Sequence, residues 1–200
     1  RAASHEYDAV HERFIALVVI AGFVAGRRAA GIPGARQHAW WGIGVAVAAT
    51  MGLLLALGTI DAVPRVVIPV GGVVVSTAMV TAGLALQRTV DVVADQREKI
   101  EARLALGLST GSAFLQPYRT AVRTALVPAV DTTKVVGLIS LPGAMTGLIL
   151  AGVDPWDAIR YQIVVMYMLL GAAFMAAVLS ARLAQRSLFD DAERLVRLRD

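Results

Sequence analysis

Cysteine does not occur in the 200 residues, which excludes disulfides, thiolate metal sites and dithiol redox chemistry. Charge is scarce: Asp, Glu, Lys and Arg make up 17% of the chain, against about 25% in an ordinary globular protein. Aromatic residues contribute only 6%. There is no low-complexity tract and no clear internal repeat. A Gly-x4-Gly-Lys-Ser/Thr phosphate loop is absent, so ATP hydrolysis by that route is excluded. Arg1–Arg13 has no apolar stretch and does not read as a signal peptide. A first residue other than Met raises the expectation that the sequence begins partway through a longer protein.

What is abundant is apolar surface. Ala, Val, Ile, Leu, Met, Phe, Trp, Tyr and Cys together make up 57%. Five runs contain no Asp, Glu, Lys or Arg: Phe14–Gly26, Ala39–Ile60, Val66–Gln87, Val135–Val153 and Tyr161–Ala181. A helix crosses a bilayer with about 20 apolar residues, so the last four are long enough. The first qualifies if it extends back through Ala9–Arg13. These runs predict an all-α polytopic bundle: a single membrane domain over 1–200, with spans at about 9–26, 39–60, 66–87, 135–153 and 161–181.

Charge sets the expected orientation. With the connecting segments on alternate sides, 27–38, 88–134 and 182–200 share one side. They hold fifteen of the nineteen cations and a net charge of +6. The segments 1–13, 61–65 and 154–160 carry a net of −2. The cationic side is the cytoplasmic one, which places the C-terminal tail 182–200 in the cytoplasm. Trp40, Trp41, Trp156 and Tyr161 stand at span ends, where interfacial aromatics belong. The excess of +4 over the whole chain is therefore read as topology and not as nucleic-acid binding.

The outer turns are short and contain Pro64 and Asp154-Pro155, so spans 2 and 3, and spans 4 and 5, are expected as antiparallel neighbours. The segment 88–134 is the longest aqueous stretch, and a structureless loop of that size is unexpected. Its front half reads as helix. Asp95 and Lys99 are spaced to pair, Val93, Ile100 and Leu104 make a thin apolar stripe, and Gly107 or Gly111 ends it.

Such a cytoplasmic hairpin suits a transporter that receives force from a soluble motor. The stretch Glu101-Ala-Arg-Leu-Ala-Leu-Gly107 resembles the start of the loop by which ABC-transporter permeases dock on their ATPase, although the Ile-x-Leu-Pro that often follows is not at the usual distance. A solvated amphipathic hairpin is the plainer reading. The wider stretch Ala125–Leu170, with Val67–Leu86 before it, resembles the FetB-type family of iron-export ABC permeases, related to plant aluminium-tolerance half-transporters. The resemblance covers most of Phe14–Ala181, and the block around Asp131–Thr146 is its most specific part. It implies two further spans before Phe14, a bacterial inner-membrane location and iron as cargo. It also implies a separate ATP-binding cassette subunit carrying ATP and Mg, and a permease homodimer in membrane lipid. This chain itself is expected to bind no cofactor and no nucleic acid and to be no enzyme.

Within that frame Glu101 and Gly107 are the expected coupling residues. Asp131, Thr133, Ser140, Pro142 and Met145 are the expected translocation path or gate. Asp131 and Lys134 read either as a cytoplasmic gate or as an interfacial helix start whose two charges pair at i, i+3. Leu141-Pro142-Gly143 breaks or kinks span 4, and Gly143 with Gly147 makes a face for close packing. Ser76, Thr77 and Thr81 form the polar part of span 3, which also contains Pro69-Val70-Gly71-Gly72. Met79 and Met145 lie near polar groups, but methionine is first of all a packing residue. His5, Glu6, Asp8, His11 and Glu12 have metal-binding chemistry with a spacing that matches no standard site. The alternatives are a stand-alone secondary transporter or channel, ABC export of an organic solute such as a nucleotide sugar, and a membrane anchor for a soluble partner.

Overall fold

The computed structural model describes residues 19–27, 32, 34–60, 63–135, 143–190 and 192–196. The described residues form helices: α1 over 19–27, α2 Ala35–Ala56, α3 Pro64–Ala105, α4 Thr110–Val135, α5 Gly143–Leu150 and α6 Pro155–Ser187. A short tail then folds back through an isolated antiparallel bridge between Phe189 and Leu195. Helices α2, α3 and α6 are long and apolar enough to cross a membrane. The protein is an all-α polytopic membrane protein.

Local signals account for the helix ends. Pro64 and Pro155 open α3 and α6 at the first turn, where the missing N–H has no helical partner to lose. Asp154 caps α6 by accepting a 2.9 Å hydrogen bond from the Trp156 N–H, the usual role of aspartate at that position. Helix α2 stops at Ala56, four residues before the charge-free run ends, because Gly58 turns the chain at φ +62°.

The largest departure from expectation is α3. Span 3 and the amphipathic stretch after Gln87 are one helix of 42 residues, about 63 Å long at 1.5 Å per residue. That is about twice the thickness of a bilayer core. A kink at Gln96 (φ −113°, ψ 17°) separates its last turns from the rest. The stripe behaves as expected, with Val93 and Ile100 buried and Leu104 packed against them. Asp95 and Lys99 form no salt bridge; the ion pairs on this stretch are Arg88–Asp91 at 3.0 Å and Arg97–Glu101 at 2.8 Å.

Small residues draw the helices together. The inner face of α6 is Ala172, Ala176, Ser180 and Ala184, all fully buried, and a spacing of four keeps them on one side. It packs on α2 and α3, which bury Ile43, Val47, Val74, Ala78 and Leu86 in the same core. A Cβ on Gly42 would collide with the Ser180 hydroxyl, and one on Gly22 with Trp40. Close backbone approach through small residues is the standard way to pack helices where solvent provides no hydrophobic drive. Helices α2 and α3 are neighbours, as are α5 and α6, in line with their tight turns. At the far end of α2, His38 Nε2 and Ser187 Oγ lie 2.9 Å apart and tie α2 to the end of α6.

Candidate functional site

Two features stand out, a cleft among α3, α4 and α6 and a charged turn at the far end of α3. The cleft has a volume of about 290 Å³. Its walls carry Ser76, Thr77 and Thr81 from α3, Thr132 and Thr133 from α4, and Gln162 from α6, among apolar neighbours that include Met166. Thr81 donates to the Thr77 carbonyl at 2.9 Å, and Thr132 and Thr133 donate to the Pro128 and Ala129 carbonyls at 2.8 Å. A hydroxyl that spends its proton on its own helix keeps its lone pairs for an incoming donor. Among the described residues the Gln162 Oε1 is buried without a partner, a costly state unless a ligand or water completes it.

The cleft also shows how α4 packs on α3. Ala125, Ala129, Thr132 and Thr133 line it together with Ser76, Thr77, Thr81 and Leu84. Only the short turn 106–109 separates the packed helices α3 and α4, so they run antiparallel. The expectation put all of 88–134 in the cytoplasm, with span 4 beginning at 135; in the structure Ala125, Ala129, Thr132 and Thr133 line the cleft together with residues of span 3. The physical reason is packing: Val122 and Ala125 bury against Ala85, Ala177 and Ala181.

Asp131 is not in the cleft. It lies on the opposite side of α4, paired with Lys134 at 3.6 Å, and the two side chains are 60% and 70% exposed. Thr133 does line the cleft. Met145 sits half-buried on α5 and contributes nothing to it. Ser140 and Pro142 lie outside the described residues, as do His5, Glu6, Asp8, His11 and Glu12. Of the other methionines, Met51 and Met168 are core residues, and Met79 and Met175 pack against the core. Among the described residues no three His, Cys, Asp or Glu side chains come together as a metal site. Pro117 and Pro128 interrupt the α4 bonding pattern, and Pro69 does so in α3.

The second feature assembles Glu101 and Gly107. Helix α3 ends in the turn Leu106–Ser109, where Gly107 adopts φ +83°, a conformation natural to glycine at a helix C-terminus. Arg103 donates across the turn to the Ala113 carbonyl at 3.1 Å. Leu106 at the tip is 80% exposed. Arg97 pairs with Glu101 and also donates to the tail carbonyls of Leu195 at 3.1 Å and Val196 at 3.4 Å. Phe189 meets Phe114 edge to face at 5.8 Å, so the tail is anchored on α4 as well.

Two adjoining grooves result. One, of about 530 Å³, runs between Gly107–Ser109 and Ala192–Arg194. The other, of about 580 Å³, lies between Arg97, Glu101 and Asp190–Leu195. Leu104, Glu193 and Arg194 belong to both. The tail was read from sequence only as a cytoplasmic end, and its part in this surface was missed. The available signal was Asp190 followed by Arg194, which builds a tight turn. The Ala192 and Arg194 N–H groups donate to Asp190 Oδ1, and Arg194 Nε donates to Oδ2 at 3.1 Å. The backbone bond from Arg194 chiefly holds the Asp190 carboxyl below its ordinary value, helped by the Arg194 charge and against a smaller burial effect. Nearby, burial raises the Tyr118 hydroxyl above its ordinary value, and the Arg182 guanidinium 5.5 Å from its ring partly offsets this.

Known proteins place this arrangement. The chain is 40% identical over 182 residues to the UPF0014 membrane protein STAR2 of Oryza sativa subsp. japonica, covering 91% of this chain and 64% of that protein. It is 39% identical over 182 residues to Protein ALUMINUM SENSITIVE 3 of Arabidopsis thaliana, covering 91% and 67%. It is 38% identical over 154 residues to the probable iron export permease protein FetB of Escherichia coli K12, covering 77% and 60%. The chain thus spans about two thirds of the length of these relatives. No solved structure matches it. The model of an uncharacterised protein family, UPF0014, matches residues 6–189, and the chain belongs to that family.

Proposed function

We propose that this chain is the membrane-spanning permease subunit of an ABC exporter for iron or another metal, driven by a separate ATP-binding subunit. The observation that carries the reading is α3, which runs unbroken by any loop from the cleft residues Ser76 and Thr77 to the turn at Gly107. The kink at Gln96 lies on this path, but no loop does, so force applied at Glu101 and Gly107 can pass along the helix to the cleft. The FetB relative is named as an iron export permease, and the cleft offers neutral oxygen ligands of the kind hard cations accept.

In this reading two permeases pair with two ATPases in the membrane. ATP and Mg are bound by the partner chain, and this chain catalyses nothing and meets lipid but no nucleic acid. It lies in the bacterial inner membrane with 27–38, 88–118 and the tail on the cytoplasmic side, where twelve of the nineteen cations collect. Substrate enters the cleft from that side and meets Thr133, Thr132 and Gln162.

The test is co-purification of the full-length protein with its tightest-bound soluble partner, followed by ATPase assay against metals and organic solutes. The expected result is an ATP-hydrolysing partner stimulated by iron or a similar ion. Stimulation by organic solutes alone discards the metal. Transport that persists without ATP and follows an ion gradient discards the ABC assignment in favour of a secondary transporter.

A further inference from the structure

We infer that the cleft takes its cargo as a hydrated cation, held through the O–H groups of the ion's own water shell and not by direct ligation of the metal. The inference rests on the reading of the cleft as the path of a metal ion and names the form in which that ion enters. The hydrogen-bond polarity of the wall carries it. Thr81, Thr132 and Thr133 each donate their hydroxyl proton to a carbonyl of their own helix at 2.8–2.9 Å, so each oxygen has only lone pairs left to offer. The Gln162 Oε1 adds another acceptor, buried and without a partner among the described residues. The Ser76 and Thr77 hydroxyls can turn to donate or accept. None of the lining residues is charged, so an anion would meet mostly lone pairs and no lysine or arginine. A ligand rich in donors completes the wall.

Direct ligation calls for a different wall. Sites that replace the waters of a hard cation supply carboxylates, and sites for softer ions supply imidazole or thiolate. The cleft is lined by none of these, and among the described residues no three His, Cys, Asp or Glu side chains converge elsewhere. Met166 offers one thioether, too little to replace a shell. Stripping an ion of water where no charge compensates it is costly. An ion that keeps its shell avoids that cost and brings its own donors, since metal-bound water is more acidic than bulk water. Size agrees. Six waters at about 30 Å³ each take up about 180 Å³, and the cleft has about 290 Å³.

Hexaamminecobalt(III) is the probe that tests this. Its ammonia ligands do not exchange, so it presents N–H donors in the arrangement of a hexaaqua ion and leaves the metal no position for a protein ligand. Binding of radiolabelled iron(II) to the purified full-length protein is measured by anaerobic equilibrium dialysis against rising hexaamminecobalt(III). The expected result is complete, competitive displacement, which the unsubstituted protein alone can show. With Thr133→Val and Gln162→Leu combined, the dissociation constant of iron(II) and the inhibition constant of the cobalt complex should rise by the same factor. That factor is about fourfold or more, because each neutral hydrogen bond lost is worth at least about twofold. Bound iron that a large excess of the complex does not displace overturns the inference: the metal is then ligated directly, and the cleft still stands as a metal path. A shift confined to iron(II) overturns it in the same way. Displacement that the two substitutions leave unchanged also overturns it, since the shared site then lies outside the cleft. Iron(II) that neither binds nor stimulates ATP hydrolysis in the complex removes the metal reading itself, and this inference with it.

Discussion

Arg97 and Leu195 stand 98 residues apart in the chain and are joined by a 3.1 Å hydrogen bond from guanidinium to carbonyl. The same side chain holds Glu101 at 2.8 Å. One arginine therefore fixes both the end of the long helix and the tail that covers it, through a planar fork that lysine cannot reproduce.

Arg97→Ala should free the tail. Two charge-assisted bonds and one ion pair are lost, but the site is partly solvated, so the global cost is about 1–2 kcal/mol. The local effect is larger. Protease cleavage within 188–196 should accelerate while the helices stay protected, and Arg97→Lys should lie between the two. Unchanged cleavage in R97A would show that the Phe189–Phe114 contact alone holds the tail.

Gly42→Ala tests the close packing of α2 on α6. The new Cβ would meet the Ser180 hydroxyl, and overpacking a tight contact costs about 1–3 kcal/mol. Thermal unfolding in detergent should shift down, and Ser180→Gly in the same chain should recover most of the loss. If the double variant were no better than G42A alone, the contact would not be the cause.

The three spanning helices and the Gly107 helix end were legible because both follow from local rules. Runs such as Val66–Gln87 need no tertiary information to be read as spans, and a glycine after an apolar stripe marks a helix end. The packing of α4 was not legible in that way. Arg119, Arg123, Asp131 and Lys134 together with Pro117 and Pro128 give it an aqueous pattern, and only burial of Val122 and Ala125 against α3 and α6 places it beside the spans. The tail was illegible for the same reason. Its partner, Arg97, is remote in sequence and looked like one more surface cation. Of the cleft, the hydroxyls of span 3 and Thr133 were singled out, but Gln162 was not, since a lone amide near a span end has no periodicity to announce it.

Acidification should loosen the tail turn. The Asp190 carboxyl in the folded chain lies below its ordinary value, mainly through the Arg194 N–H. A group with a depressed folded pKa contributes stability above its unfolded value and loses it as pH falls through the folded one. Hydrogen exchange at Ala192 and Arg194 should therefore be pH-insensitive, after correction for intrinsic rates, from neutrality down to the ordinary carboxylate range. It should speed up below that range. Asp190→Asn should remove the dependence; a variant that kept it would assign the effect elsewhere.

Thr133→Val and Gln162→Leu should weaken substrate binding. Each removes one polar partner from the cleft, and one neutral hydrogen bond is worth about 0.5–1.5 kcal/mol, or roughly two- to twelvefold in half-saturating substrate. Expression and tail protection should not change. Met145→Leu, away from the cleft, should leave half-saturation where it was. A metal titration of stimulated ATPase in the purified complex measures all three, and equal responses from M145L and T133V would remove the cleft from the pathway.

Gly107 separates a structural role from a coupling role. Its φ of +83° would strain any residue with a Cβ, while no atom within 4 Å would obstruct one. Gly107→Ala should therefore cost only about 1–2 kcal/mol, the penalty of the left-handed conformation, and the bundle should still assemble. Substituting Glu101 by Gln removes the Arg97 pair without altering the backbone. If this turn receives force from the ATPase, both variants should bind the partner normally or slightly less well and lose most of the substrate-stimulated hydrolysis. If the turn is only a connection, G107A should show the small stability loss with full stimulation, and E101Q should show neither. Measuring unfolding temperature and stimulated ATPase on the same preparations decides between these patterns, because strain alone moves the first quantity and coupling moves the second.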